Sequence, residues 1–530
     1  MSQTPKKNSS ANEQNEMTQI QPRNRGPRQV PVLALLGWRQ IAVLFLISMG
    51  AVLVHGYHPG VEDTEFYLPA VIKHLNPRLY PFNDQYFMSH ARMTLFADIV
   101  AGSVRLTHLP LDWAIFLWHF ACIFLLLLGC WRISRICFRD ERASWGSVAL
   151  VAALLTIPVA GTALYIMDQY LNPRDMSTAA IVLLLAEAMK RRFVVAGIGM
   201  LFIATIHPLM SLFGISLLVL LFLELQRTSV SGSKLKPAAA VATLLLIPWN
   251  FFPQPSPVYR DLLAKNISYF LVTRWQWSEW LGILVPLLLL WWLAGYGRKH
   301  ELGQVQALSR ALILFTLIFL AMGLFVCIPS MARFALLQPM RSLHVVFILL
   351  FVLLGGILAQ AVLKSYIWRW AVVFLPLCFA MFFVQRQVFP ASEHLELPGR
   401  APRNAWVQAF DWIRVNTPPN AIFALHPNYM NLPGEDEHGF RAIAERSALA
   451  SIHDNGPVSM FPVLADPWYQ QVQAQRGWNN FQMQDFERLH REYGVTWLVL
   501  QRGSYILQSG SNADLACPYR NDVVAVCKLQ

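Results

Sequence analysis

The fold is decided by residues 36–65, LGWRQIAVLFLISMGAVLVHGYHPGVEDTE, in which an apolar run passes directly into an acidic loop. An apolar run of about twenty residues is long enough to cross a membrane as a helix. No small-residue cleavage site follows it and many apolar runs do, so we expect an uncleaved first membrane helix. Carboxylates beside lipid keep their charge only where a cation, hydrogen-bond donors or water compensates for lost hydration. The acidic loop is therefore the first candidate for a functional site.

The composition of the whole chain is typical of a membrane protein. Hydrophobic residues make up 55% of the 530 residues and charged residues only 14%. The net charge is +12, but the Lys and Arg residues occur in short clusters between apolar runs, which argues against a nucleic-acid partner. We predict a mainly α, polytopic fold with about eleven spans. They lie near 36–55, 113–133, 146–166, 176–190, 193–208, 209–225, 237–252, 279–297, 311–328, 342–363 and 370–388.

The positions of the basic clusters predict the topology. Cytoplasmic loops are enriched in Lys and Arg, and such clusters occur in every other predicted loop. They lie at 23–39, 132–142, 190–192, 227–236, 298–310 and 364–369. The amino terminus is then cytoplasmic, whereas the first loop and the carboxy-terminal region are extracytoplasmic. The predicted parts are a disordered tail (1–35), a transmembrane domain (36–388) whose first loop (57–112) contains an interfacial or loop-packed helix, a linker (389–402) and a soluble domain (403–530).

The region 403–530 predicts a small α/β domain. Helical periodicity occurs at 403–416 and near 484–492, and short apolar strands are expected at 421–425, 495–500 and 523–529. Cys517 and Cys527 lie in this domain, where an extracytoplasmic location would permit a disulfide; two free thiols are the alternative. The acidic stretch GEDEHGF (434–440) is expected to be exposed.

Acidic and basic side chains of several predicted extracytoplasmic segments are candidates for a common site. A carboxylate can accept the proton of a hydroxyl group, and guanidinium groups bind phosphate through paired hydrogen bonds. Such a combination suits a substrate in which a sugar is joined to a phosphate. The candidates are Glu62, Asp63, Asp84, Arg174, Asp175 and Arg341, with His58 and His207 beside them.

The chain resembles the GT-C class of membrane glycosyltransferases. The points of resemblance are the acidic pair Glu62–Asp63 just after the first helix, a helix in that loop, many spans and a soluble carboxy-terminal domain. The chain is also similar, over nearly its whole length, to a bacterial family of multi-span membrane proteins with a carboxy-terminal extracytoplasmic domain. The segments that carry this similarity are HPGVEDTEFYLPA (58–70), LYPFND (79–84), NPRDMST (172–178), IHPLM (206–210), LQPMR (337–341) and WIRVNTPPNAIFALHP (412–427).

The GT-C resemblance implies a reaction and a set of roles. It implies transfer of a sugar from a polyprenyl-phosphate donor to a glycan, lipid or protein acceptor at the extracytoplasmic face of a bacterial inner membrane. Asp63 or Glu62 matches the catalytic base, with Asp63 preferred, and Arg341 and then Arg174 are the candidates for the donor phosphate. Some members bind a divalent cation, Mg²⁺ or Mn²⁺, through this motif and a second acid, which here would be Asp84 or Asp175. No spacing in this sequence specifies a metal site.

A cluster of polar side chains at 426–454 in the carboxy-terminal domain, which includes Glu437 and His453, has two interpretations, an acceptor-binding surface or a solvated loop. Each of the roles given above also has a structural alternative. Asp63 stands where the N-cap of a helix through TEFYLPAVIKHL is expected, and a cap and a catalytic role do not exclude each other. Arg341 is placed to extend towards lipid headgroups, Arg174 and Asp175 to form a salt bridge within their loop, and His207 to end a helix. Two other functions remain open for the whole chain. One is a transporter or flippase for a lipid or glycan, and the other is a non-catalytic protein of envelope assembly.

Overall fold

The computed structural model describes residues 37–227, 256–265, 267–508 and 515–529, and it is mainly helical. Within these residues, seven segments are long and apolar enough to cross a membrane. They support a multi-pass membrane protein. These segments are α1 (Trp38–His55), α5 (Leu111–Cys137), α9 (Pro208–Arg227), α11 (Trp277–Lys299), α12 (Gly303–Val326), Pro329–Leu363 with α13 (Leu343–Leu358) at its centre, and α14 (Ile367–Val388).

The prediction of about eleven spans is matched in part. Two predicted spans correspond to shorter helices, α7 (Pro173–Met189) and α8 (Phe193–Ala204), and the predicted span at 237–252 lies outside the described residues. The predicted helix over 146–166 is wrong in its second half, because α6 (Glu141–Ala153) ends early. Pro158 follows soon after that end and cannot donate a helical hydrogen bond. The chain instead folds back on itself, with Pro158 bridged to Tyr165.

The first loop folds into three short helices between α1 and α5. They are α2 (Thr64–Leu75), α3 (Gln85–Ala91) and α4 (Phe96–Thr107). The predicted amphipathic helix of this loop corresponds to α4, which packs against α2 and α5. One further helix, α10 (Pro257–Lys265), precedes α11. The loop is therefore an ordered layer at one end of the membrane helices.

The carboxy-terminal region is the predicted α/β domain. Its five strands are ordered β2–β1–β3–β5–β4, with parallel pairing on the β1 side and antiparallel pairing on the β5 side. The strands are β1 (Ile422–Ala424), β2 (Ser447–Ala448), β3 (Trp497–Gln501), β4 (Leu515–Arg520) and β5 (Val524–Leu529). The helices are α15 (Ala405–Asn416), α16 (Phe440–Ala444), α17 (Asn455–Met460), α18 (Ala465–Ala474), α19 (Met483–Tyr493) and α20 (Tyr505–Gln508). A disulfide joins Cys517 to Cys527, as one of the two sequence alternatives had it.

The soluble domain rests directly on the first loop. Glu62 N–H donates to the carbonyl of Glu437 over 2.9 Å, and Gly439 N–H donates to the carbonyl of Gly60 over 2.7 Å. Val61 lies opposite His438 between these two bonds. The pairing joins residues 60–62 to residues 437–439. The stretch 434–440 that was expected to be exposed is largely buried, because it is covered by the first loop.

Candidate functional site

A cavity of about 310 Å³ lies where the first loop, the membrane helices and the soluble domain meet. This volume is at the lower end of the range for small-molecule sites, about 300–1,000 Å³. The polar side chains of its wall come from widely separated parts of the chain. They are Glu62, Asp63, Tyr165, Arg174, Tyr269, Arg341, Glu437 and His453.

Asp63 is the residue at which α2 begins, yet its side chain does not cap the helix. The side chain accepts no hydrogen bond from the first turn of α2, every residue of which is described. A cap is the usual reason for an Asp at this position. Asp63 is instead partly exposed and lines the cavity. The structural alternative for Asp63 is therefore not realised, and its carboxylate is available to a ligand.

Glu62 occupies a different environment from its neighbour. Its carboxylate accepts a hydrogen bond from the Tyr170 hydroxyl over 3.1 Å. Burial, together with the charges of Glu437, Asp168 and Asp63, raises the pKa of Glu62 well above its ordinary value. A buried carboxyl group among other acids takes up a proton more readily, because the charged form is poorly solvated and repelled. We therefore expect Glu62 to retain a proton where an ordinary Glu is charged.

Two arginines reach the cavity from the membrane domain. Arg174 lies in the first turn of α7, where the side chain of Asn172 caps the helix, and is paired with Asp168. Arg174 thus forms a salt bridge within its loop, as the structural alternative had it, but its partner is Asp168 and not Asp175. Arg341 lies just before α13, with its guanidinium 5.8 Å from the ring centre of Tyr269 and 5.4 Å from that of Phe270. Stacking on aromatic rings orients a guanidinium while leaving its edge free to bind a planar or tetrahedral anion.

The backbone around the cavity is strained. Non-glycine residues rarely adopt positive φ, at a cost of roughly 1–2 kcal/mol each, and such residues cluster at functional sites. Four residues that line this cavity have φ between 49° and 60°. They are Glu62, Ala160, Ala163 and Glu437.

The remaining predicted residues lie outside the wall of the cavity. Asp84 is bound to the Lys73 ammonium at 2.6 Å, and His58 is fully buried with Nδ1 3.6 Å from the Glu396 carboxylate. His207 lies beside His90, with ring centres 6.3 Å apart. Asp175 is buried, and within the described residues neither carboxylate oxygen has a hydrogen-bond partner. The sequence therefore grouped eight residues, of which Glu62, Asp63, Arg174 and Arg341 share the cavity.

The cavity also contains residues that the sequence did not group with the acids of the first loop and the two arginines. Tyr269 supports Arg341, and Glu437 and His453 enter from the soluble domain. The sequence left Glu437 and His453 open between an acceptor-binding surface and a solvated loop, because the composition of their cluster fits both. The pairing of residues 60–62 with 437–439 is long-range and leaves no local sequence pattern, so only the fold reveals it.

The divalent cation implied by the GT-C resemblance stays a prediction. Across the described part of the chain, no group of three or more His, Cys, Asp or Glu side chains is arranged to hold a metal ion. The acids of the cavity wall, as they stand, do not fit a metal site. The cavity residues are therefore considered below through their own charges and hydrogen bonds.

No protein-family model matches this chain, and a search of curated proteins finds no similar one.

Proposed function

We propose that the protein is a membrane glycosyltransferase that moves a sugar from a polyprenyl-phosphate donor to a hydroxyl-bearing glycan, lipid or protein acceptor. The observation that carries the proposal is that the Asp63 side chain does not cap its helix and lines one cavity with Arg174 and Arg341. A carboxylate suits the acceptor hydroxyl, and two guanidinium groups suit the departing phosphate. The GT-C resemblance of the first loop points to the same reaction.

Asp63 acts as the base in the proposed reaction. The acceptor oxygen attacks the anomeric carbon of the sugar while Asp63 accepts the hydroxyl proton. The bond between that carbon and the phosphate oxygen breaks, and polyprenyl phosphate leaves with the bonding electrons. Arg341, assisted by Arg174, stabilises the charge that develops on the phosphate. Glu62 is less suited to be the base, because the raised pKa favours its protonated form.

The location that we propose is the inner membrane of a bacterial cell, with the amino terminus in the cytoplasm and the soluble domain outside. The alternation of basic loops supports this orientation. The disulfide in the soluble domain supports it independently, since disulfides persist in oxidising compartments. The proposal keeps about eleven spans, counting shorter apolar helices such as α8 with the seven long segments.

The test compares two Asp→Asn variants in cells that lack the native chain. Envelope glycans and polyprenyl-linked sugars are measured by mass spectrometry after complementation with wild type, Asp63→Asn or Asp98→Asn. Asp98 is the matched control, because it lies in the same loop but outside the cavity wall, is half exposed and pairs with His74 at 3.0 Å. We expect wild type and Asp98→Asn to restore one glycan. Asp63→Asn should leave its lipid-linked donor accumulated, because loss of a general base slows a reaction by about 10²- to 10⁴-fold.

Full complementation by Asp63→Asn, at equal protein abundance, would contradict the proposal. A glycan profile that does not change when the chain is deleted would contradict it as well. Either result would favour the transporter or the assembly function.

A further inference from the structure

The soluble domain supplies one wall of the cavity through Glu437 and His453. Glu437 is held there by the pairing of its own carbonyl with Glu62 N–H over 2.9 Å. The His453 ring stacks on Phe66 of α2, with ring centres 5.1 Å apart and planes 14° from parallel. The Glu437 backbone and the His453 ring are therefore held by contacts with the first loop, beside the acidic pair.

One buried polar atom of this wall lacks a hydrogen-bond partner among the described residues. His453 Nε2 is buried and, within the described residues, has no hydrogen-bond partner. Buried polar atoms are nearly always paired in folded proteins, so an unpaired one at a cavity indicates a ligand or water that completes it. Glu437 also retains a strained left-handed backbone, with φ of 60°. Strain of this kind persists where the surrounding structure enforces a functional geometry.

The two walls of the cavity differ in charge. The membrane domain contributes the guanidinium groups of Arg174 and Arg341, whereas the first loop and the soluble domain contribute the carboxyl groups of Asp63 and Glu437 beside that of Glu62, which we expect to be protonated. Burial, along with the charges of Asp63 and Asp436, raises the pKa of Glu437, while the nearby His453 works in the opposite direction. An anionic acceptor would be repelled on the acidic side. Carboxyl and imidazole groups instead offer the alternating acceptors and donors that neighbouring hydroxyls require.

We propose that Glu437 and His453 bind the acceptor, and that its reacting group is an uncharged, polyhydroxylated sugar ring. This inference rests on the proposed transfer reaction, because it assigns the second substrate of that reaction to the opposite wall from the donor phosphate. Hydroxyls of the ring would donate to Glu437 and accept from or donate to His453 Nε2. One hydroxyl would then lie against Asp63.

The test measures the thermal unfolding midpoint of the purified full chain in a detergent without a sugar headgroup. A ligand that binds only the folded protein raises this midpoint. The acceptor probes are a panel of methyl glycosides, each paired with its methyl uronide, in which a carboxylate replaces the hydroxymethyl group of the same ring. The donor probe is polyprenyl phosphate. We expect at least one glycoside to raise the midpoint, its uronide to raise it less, and polyprenyl phosphate to raise it independently.

Two variants and two matched controls separate the walls. Glu437→Gln and His453→Ala should abolish the glycoside-induced shift and retain the polyprenyl-phosphate shift. Glu445→Gln is the control for the first, because Glu445 lies in the same domain with a positive φ of 53° but outside the cavity wall. His426→Ala is the control for the second, and both controls should retain both shifts.

The inference is overturned if no glycoside in the panel stabilises the wild type, if a uronide stabilises it more than its parent glycoside, or if both cavity variants keep the glycoside shift. The proposed transfer reaction fails by a different result, which is full complementation by Asp63→Asn. The two failures are therefore distinguishable.

Discussion

Asp63 and Glu65 lie on the same loop, two positions apart, and have opposite environments. The Glu65 carboxylate is buried and accepts hydrogen bonds from the backbone N–H groups of Arg441 and Ala442 and from the Arg441 guanidinium, the last over 3.1 Å. Arg441 in turn binds the Asp454 carboxylate over 2.8 and 2.9 Å. Asp63 does not cap its helix and faces a cavity among other acids. A paired acid indicates a role in the fold, whereas an acid left unpaired in a strained cavity indicates a role in binding or catalysis.

Arg441→Met tests whether the paired acid Glu65 stabilises the fold. Removal of one partner of a buried ionic network leaves its carboxylates uncompensated and costs about 3–5 kcal/mol. We expect the free energy of unfolding to fall by this amount and the soluble domain to separate from the first loop. The measurement is thermal unfolding of the purified chain, with limited proteolysis to report the separation.

The control for that change is Arg414→Met. Arg414 pairs with Asp411 at 2.8 Å on the surface of α15, with about 38% of its side chain exposed. Exposed pairs contribute only about 0.2–1 kcal/mol. If both variants lose the same free energy of unfolding, the network at Glu65 stabilises the fold no more than an exposed ion pair does.

The second test concerns another buried ion pair, which is formed by His438 within residues 437–439. His438 Nε2 lies 3.1 Å from the Glu396 carboxylate. Burial opposes the charge on Glu396, but the charge and hydrogen bond of His438, with the nearby His58, lower its pKa from 4.5 to about 2. Burial likewise opposes charge on His438, whereas Glu396 raises its pKa above 6.5. Hydrogen bonds between charged groups contribute about 1.5–3 kcal/mol.

The pH dependence follows from these directions. The contribution of Glu396 to the free energy of unfolding is present above pH 4.5 and is lost as the pH falls towards about 2. The contribution of His438 is present below 6.5 and is lost as the pH rises through its raised pKa. Glu396→Gln should therefore lower the thermal unfolding midpoint most between pH 4.5 and pH 6.5. The midpoint of this variant should also depend less on pH than that of the wild type. Glu393→Gln, in the same linker, is the control, and an equal flattening in that variant would contradict the assignment.

The third test concerns the functional half of the comparison and is Arg341→Lys. Lysine keeps the charge but loses the paired donors and the stacking on Tyr269 and Phe270. We expect the half-saturating concentration of polyprenyl-phosphate sugar to rise about tenfold, which corresponds to about 1.4 kcal/mol. Arg369→Lys is the control, because Arg369 also stacks on aromatic rings, 4.5 Å from that of Tyr366, but lies outside the cavity. An unchanged half-saturation in Arg341→Lys would exclude Arg341 from the donor site.

The sequence was informative where the signal is local. Hydropathy located α1, α5, α9 and the later spans, and short apolar runs located β1, β3 and β5. It overextended α6, because a hydropathy window does not register the chain reversal at Pro158. Residues Glu62, Asp63, Arg174 and Arg341 were grouped by charge and topology, but Glu437 and His453 were not. These two depend on the contact between the first loop and the soluble domain, which no local pattern encodes.

Ala163→Gly, for which we expect the smallest effect, tests whether the backbone of the cavity wall is strained. Ala163 is exposed in the cavity wall with φ of 53°, where glycine has no steric penalty. We expect the free energy of unfolding to rise by up to about 1 kcal/mol, because relief of the left-handed backbone exceeds the added entropy of the unfolded chain. The matched control is Ala294→Gly in the interior of α11, which should lose about 0.5–1 kcal/mol. If Ala163→Gly stabilises the protein and also slows sugar transfer, the enforced backbone geometry is part of the site. If it destabilises the protein as Ala294→Gly does, the backbone of the cavity wall is not strained. The contrast between Asp63 and Glu65 then rests on charge alone.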